Sequence, residues 1–139
     1  MAARIHLHEL SGEKRAGELA RLVESLYRAR KRVVVWVEDE GRLQILDNYL
    51  WTYHKLAFLP HRVWQEGPVP DDEPILLVSE PVEMVRNEVL VVGDGMPPGE
   101  WAAGFQEVHD LIPPGDSGTD RREFWDRWRE DHQSGDDEE

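Results

Sequence analysis

An α/β fold, with a mainly parallel sheet and helices on both faces, is the fold class that this sequence predicts. Three observations carry it. Val33-Val34-Val35-Trp36-Val37, Ile75-Leu76-Leu77-Val78 and Val89-Leu90-Val91-Val92 are apolar runs without polar alternation, the mark of strands buried on both faces. Segments with helical spacing alternate with these runs along the chain. The 139 residues contain neither an internal repeat nor a linker, so the elements belong to one domain.

Arg4 to His8 alternate, with Ile5 and Leu7 on one side, and suit a short first strand. Ser11 is placed to cap the helix that follows. In that helix Leu19, Leu22, Val23 and Leu26 form one apolar stripe, running to about Arg30. Arg32 to Val37 is the second strand. Glu38-Asp39-Glu40 begin the next helix, where carboxylates favour the dipole. Leu43, Leu46 and Leu50 are its buried stripe, with Ile45 and Tyr49 beside it. Arg62 to Gln65 suit a short strand, and the apolar runs at 75–78 and 89–92 are two more. Pro97-Pro98-Gly99-Glu100 begin a short helix carrying Trp101 and Phe105. Val108 to Ile112 form the last strand, closed by Pro113-Pro114-Gly115, and a final helix spans about Asp120 to Asp131. The predicted domain is therefore 1–131, and 132–139 is an acidic tail expected to be disordered.

Composition narrows the function. There is no cysteine, which excludes disulfides, zinc-thiolate sites and thiol catalysis. No apolar run approaches the roughly 20 residues that cross a bilayer, and MAARIHLHEL lacks a secretory core, so a cytoplasmic location is expected. The net charge of −13 argues against a broad nucleic-acid-binding face, which needs clustered Lys and Arg. Six of the acids fall within the last ten residues, however, so a local basic patch elsewhere is compatible with the total.

Catalytic equipment is sparse. Neither G-x-x-x-x-G-K-[ST] nor G-x-G-x-x-G follows any strand, and the Ser11-Gly12-Glu13-Lys14 turn would point a carboxylate at a phosphate. Glu38, Asp39 and Glu40 at a strand end could hold Mg²⁺, but first-turn acids are explained more simply by the helix dipole. His6-x-His8 puts two rings on one face of a strand, a possible metal pair for which the sequence identifies no third ligand. His61 stands without a placed nucleophile or carboxylate, and Gly-x-Ser-x-Gly is absent. No catalytic residue, cofactor or metal is assigned on these grounds.

The aromatic residues point to docking instead. Of six tryptophans, Trp36 in a buried strand and Trp101 on a helix face read as core. Trp51, Phe58 and Pro60 fall at a helix end and in the loop after it, where an exposed tryptophan is a typical interface anchor; core packing is the competing explanation. In the last helix Arg122, Trp125 and Arg129 lie at i, i+3 and i+7, and Arg121, Trp125 and Trp128 share an overlapping face. Such a stripe could clamp an acidic peptide with an apolar end, or equally be a solvated face with cation–π pairs.

The ordered set of strand, Glu38-Asp39-Glu40 turn, helix ending in Leu50-Trp51, Phe58-Leu59-Pro60-His61 and Glu66-Gly67-Pro68 resembles the chi subunit of bacterial DNA polymerase III, a clamp-loader accessory protein. The likeness spans roughly Ile5 to Arg129 and is clearest from Lys31 to Pro68. It resumes at Phe105-Gln106-Glu107-Val108-His109-Asp110-Leu111-Ile112-Pro113. The resemblance implies a nucleotide-binding-like topology without a nucleotide site, and an adaptor rather than an enzyme. It places Trp51, Phe58, Pro60 and His61 at the surface for a psi-type clamp-loader partner, or a helicase in some bacteria. It places Ile112, Arg122, Trp125 and Arg129 where the acidic C-terminal tail of single-stranded DNA-binding protein is gripped. Asp126 stands where the family can have lysine, with Arg127 adjacent as a substitute. This chain's own acidic tail is expected to compete for Arg122, Arg127 and Arg129.

The expected function is thus a non-catalytic adaptor that links the clamp loader to single-stranded DNA-binding protein, with no direct nucleic-acid contact. The alternatives are a small Mg²⁺-dependent phosphoryl-transfer enzyme using the strand-end acids, or a chi paralogue docking a helicase. With no glycine-rich phosphate cradle in the sequence, isothermal titration with ATP and Mg²⁺ should give no saturable heat. Micromolar binding would favour the enzyme.

Overall fold

The structure, a computed structural model, describes residues 3–10, 15–53, 59–70, 73–83 and 88–133. Among them the chain forms β1 (Arg4–Glu9), α1 (Arg15–Arg28), β2 (Val33–Val37), α2 (Glu40–Thr52), β3 (Arg62–Val63), β4 (Ile75–Val78), β5 (Val89–Asp94), α3 (Gly99–Ala102), β6 (Glu107–Ile112) and α4 (Asp116–Gln133). The strands make one sheet in the order β1-β6-β5-β2-β4-β3. Every pairing is parallel, as the unbroken apolar runs predict.

β2 explains why its five residues are all apolar. Val33, Val35 and Val37 face a core completed by Leu19, Ala20, Val23 and Leu26 of α1 and Leu43, Leu46 and Leu50 of α2. Val34 and Trp36 face the opposite core, completed by Ala102 of α3 and by Trp125 and Trp128 of α4. A central strand with a helix layer on each face has no side left for polar residues. Trp36 is buried, as expected, and Trp101 is half-buried, donating its indole N–H to the carbonyl of Val82 at 2.8 Å.

Several boundaries differ from expectation for local reasons. α1 ends at Arg28, because Arg30 takes a positive φ of 63° and Lys31 N donates back to Leu26 O. That left-handed turn is a helix stop carried out without glycine. α4 begins at Asp116, four residues before the expected Asp120. Ser117, Gly118 and Thr119 have low helix propensity and read as loop. Gly118 is required there by packing: a Cβ would stand 1.9 Å from the carbonyl oxygen of Pro113. β3 is only two residues long, and Phe105 lies past α3 yet is buried. Ile45, expected beside the α2 stripe, is 69% exposed. Ser11 lies outside the described residues. α4 continues two residues past 131, and 134–139 lies outside the described residues. No helix among the described residues is long and apolar enough to cross a membrane.

One buried polar group ties these layers together. Asp110, in the middle of β6, is completely buried. Arg121 donates to both of its carboxylate oxygens, Nε to Oδ2 and Nη2 to Oδ1, each at 2.9 Å, and Trp125 Nε1 donates to Oδ2 at 2.8 Å. Arg121 also donates to Gly95 O at 2.9 Å, which brings in the loop after β5. Removing one member of a buried ion pair leaves the other charge uncompensated, at about 3–5 kcal/mol. Asp110→Ala should therefore lower unfolding free energy by about that amount in urea titrations. Asp110→Asn, which still accepts from Trp125, should lose less.

Candidate functional site

The first candidate surface sits at the end of α2. Asp39 caps that helix by accepting from Gly41 N at 3.1 Å, and its last turn presents Trp51, which is 49% exposed. Beneath the indole lies His61, with ring centroids 4.0 Å apart. The resemblance implies His61 on the docking surface itself, but the structure buries its side chain. Its Nδ1 lies 2.6 Å from Leu59 O, and its Nε2 lies 3.1 Å from Asp47 Oδ1 and 3.2 Å from Asp47 O. The imidazole clips the chain after α2 back onto that helix and supports the tryptophan from below. Pro60 is half-buried next to it. Phe58 lies outside the described residues.

The second surface is a cleft of about 310 Å³ lined by Glu9, Leu10, Ile112, Pro113, Pro114, Gly115, Gly118, Thr119 and Arg122. It exists because β1 and β6 run in parallel register, with Glu9 opposite Ile112, and end together under the first turns of α4. Ile112 is buried and forms part of the floor. Arg122 stands at the rim, where its Nη2 lies 2.6 Å from Glu9 Oε1.

The stripe expected on α4 is divided. Trp125 is completely buried against Asp110, so its ring is a support for the helix and not a contact surface. This corrects the helical-spacing argument, which places Trp125 beside Arg122 and Arg129 but cannot say which way the helix faces. Arg129 reaches across to β1, donating to Ile5 O at 3.1 Å, and pairs with Asp126 at 3.4 Å. Arg127 is exposed. Of the cleft residues, only Ile112 and Arg122 were expected at this surface; Glu9, Leu10, Pro113, Pro114, Gly115, Gly118 and Thr119 were not.

Two of the three strand-end acids, Glu38 and Asp39, are engaged by the fold, as is Asp94, while Glu40 is exposed in the first turn of α2. Glu38 Oε1 accepts from Met96 N at 3.3 Å, Asp39 caps α2, and Asp94 binds Arg42 at 2.8 Å. Where a nucleotide phosphate sits in related architectures, Arg15 and Arg121 line a cleft of about 390 Å³. Arg15 is turned to the carbonyls of Gly93 and Leu111, and Arg121 to Asp110. On the β1–β6 edge of the sheet, His6 and His8 stack on His109. Burial pushes the His109 imidazole down to about 4, against the opposing pull of its hydrogen bond with Glu107. Burial acts to raise Glu107, but hydrogen bonds from Lys31 and His109 outweigh it and hold the carboxylate below its ordinary value.

The fold defines the class first: a parallel α/β domain whose strand-end arginines, Arg15 and Arg121, and acids Glu38, Asp39 and Asp94 are engaged by the fold. The chain belongs to the family described as DNA polymerase III chi subunit, HolC, whose model matches residues 3–136. It is 29% identical over 91 residues to the DNA polymerase III subunit chi of Escherichia coli (strain K12), covering 66% of this chain and 61% of that protein. It is 28% identical over 86 residues to the probable DNA polymerase III subunit chi of Rickettsia prowazekii (strain Madrid E), covering 62% of this chain and 52% of that one. The matched stretch thus spans between half and two thirds of each relative's length. The family is that of an accessory polymerase subunit, not a catalytic one.

Proposed function

We propose that the protein is an adaptor of the replicative DNA polymerase, joining a psi-type clamp-loader subunit to the acidic C-terminal tail of single-stranded DNA-binding protein. The observation that carries this reading is the cleft between β1, β6 and α4. Its floor of Leu10, Ile112 and two prolines suits an apolar terminal side chain, and the Arg122 guanidinium at its rim suits a carboxylate. Arg127 is exposed further along α4 and is not among the residues that line the cleft. Arg129 and the buried Trp125 act from behind, holding the helix against β1 and β6. The half-exposed Trp51, backed by His61, is the docking anchor for the clamp-loader partner, with Pro60 and Phe58 in the loop that follows in sequence.

Glu9 adds a feature of its own. It is 81% exposed on its side chain and occupies the guanidinium that an acidic peptide would use. A surface pair of this kind is worth no more than about 1 kcal/mol, so a peptide with two or more carboxylates can displace it. Glu9→Gln should tighten binding of an acidic peptide with an apolar C-terminal residue several-fold at low salt, as read by fluorescence anisotropy. Arg122→Ala should weaken the same binding at least tenfold. Equal affinity in all three proteins would place the peptide elsewhere.

The other surface is tested separately. Trp51→Ala should weaken binding of a psi-type partner by at least ~2 kcal/mol, the usual hot-spot threshold, with an unchanged far-ultraviolet dichroism spectrum. If the captured partner is instead a helicase that also depends on Trp51, the chain is a paralogue with a different client.

A further inference from the structure

We propose that His6, Glu107 and His109 form a binding site for a divalent transition-metal ion of the zinc class, on the β1–β6 edge of the sheet. The site is created by strand register. In the parallel pairing of β1 with β6, His6 lies opposite His109 and Arg4 opposite Glu107. Alternation along each strand then puts His6, His8, Glu107 and His109 on one face.

The ligand atoms converge. His109 Nε2 is 3.0 Å and His6 Nε2 is 3.8 Å from the same oxygen, Glu107 Oε1. One ligand atom from each of the three residues lies within 4.8 Å of the other two. Bonds of about 2.0–2.2 Å in a tetrahedral site put ligand atoms roughly 3.3 Å apart, so the set must tighten by an ångström or so. His6 can supply that movement, because it is 43% exposed on an edge strand. Two imidazoles and one carboxylate are a donor set suited to zinc, with a fourth position open to water from the exposed side.

The surroundings have the form that metal sites need. Lys31 Nζ lies 2.6 Å from Glu107 Oε2, which orients the carboxylate and leaves Oε1 turned towards the histidines. His8 Nε2 lies 2.8 Å from His109 Nδ1. A metal ion would replace the proton that His109 Nε2 now directs at Glu107, and His109 Nδ1 can then carry the proton and donate to His8 Nε2. The Lys31 ammonium opposes a dication, and the Glu107 carboxylate it pairs with offsets that charge. Stacked imidazoles contribute little to a core whose other strands use Val and Leu at the same layer. The His6-x-His8 pair evident in the sequence thus gains its third and fourth partners from a strand about a hundred residues away.

The test uses the full, tag-free chain, stripped with a chelator and titrated with ZnCl₂ against a chromophoric zinc indicator, with CoCl₂ as a spectroscopic probe. The site predicts one equivalent of zinc bound at micromolar affinity or better, visible cobalt bands of a four- or five-coordinate complex, and a zinc-dependent rise in melting temperature. His6→Ala, at an exposed position that leaves the fold intact, should weaken zinc binding at least tenfold and abolish the cobalt bands. Glu107→Gln should do the same. His132→Ala and His54→Ala should change neither. Zinc binding that survives His6→Ala, or no stoichiometric binding by the wild-type chain, overturns the proposal.

Discussion

The buried carboxylate of Asp110 is the constraint on which the arrangement of this molecule depends. A charge without solvent must be paired and hydrogen-bonded, or the chain will not place it inside. Arg121 meets both oxygens and Trp125 meets one, so α4 can dock on β6 in one rotation and one register only. Arg121 also reaches Gly95, whose positive φ lets the loop after β5 pass close to Glu38. One carboxylate therefore joins a strand, a helix and a loop. The apolar core beneath would tolerate several helix positions, since its contacts are not directional. The ion pair is what selects among them, and with that rotation it sets where Arg122 stands relative to Ile112.

The two surfaces are built by different means. At Trp51 a large side chain is held half-out of the protein by a buried histidine bonded to backbone and to Asp47. Such support makes the indole rigid before any partner arrives, which lowers the ordering cost of docking. At the cleft the groove is made where the ends of β1 and β6 meet the start of α4, with a glycine allowing helix and loop to touch. Its charge is already balanced by Glu9. The first surface favours affinity through shape, and the second makes its charge available only to a ligand that outcompetes a resident carboxylate.

What could be read from the sequence was local. The apolar strands, the α2 stripe and the Asp39 cap follow from periodicity and capping rules within a few residues. The family likeness was legible because its motifs are local too. What could not be read depends on contacts between distant segments. Helical spacing grouped Arg122, Trp125 and Arg129, but only Asp110 decides that Trp125 faces inward. His61 looked like a loop residue because nothing in its neighbourhood names Asp47 as its partner. His6 and His8 lacked companions until strand register brought His109 beside them. The early start of α4 was hidden for another reason: poor helix formers are tolerated where tertiary packing demands a residue without a side chain.

The place of β1 at the outer edge of the sheet has a consequence for how the molecule is made. Its hydrogen-bonding neighbour is β6, and His8 and His109 are 101 residues apart. At ~5–20 residues per second, a ribosome needs roughly 5–20 s to produce the second strand after the first. During that interval β2, β4 and β5 can already assemble around α1 and α2, while the first strand waits with its backbone unpaired. Closure of the sheet is thus a long-range event, and the cleft and the histidine cluster come into being only once β6 is made. Both features require β6, and a nascent chain that has not yet reached it can offer neither to a partner or a metal ion.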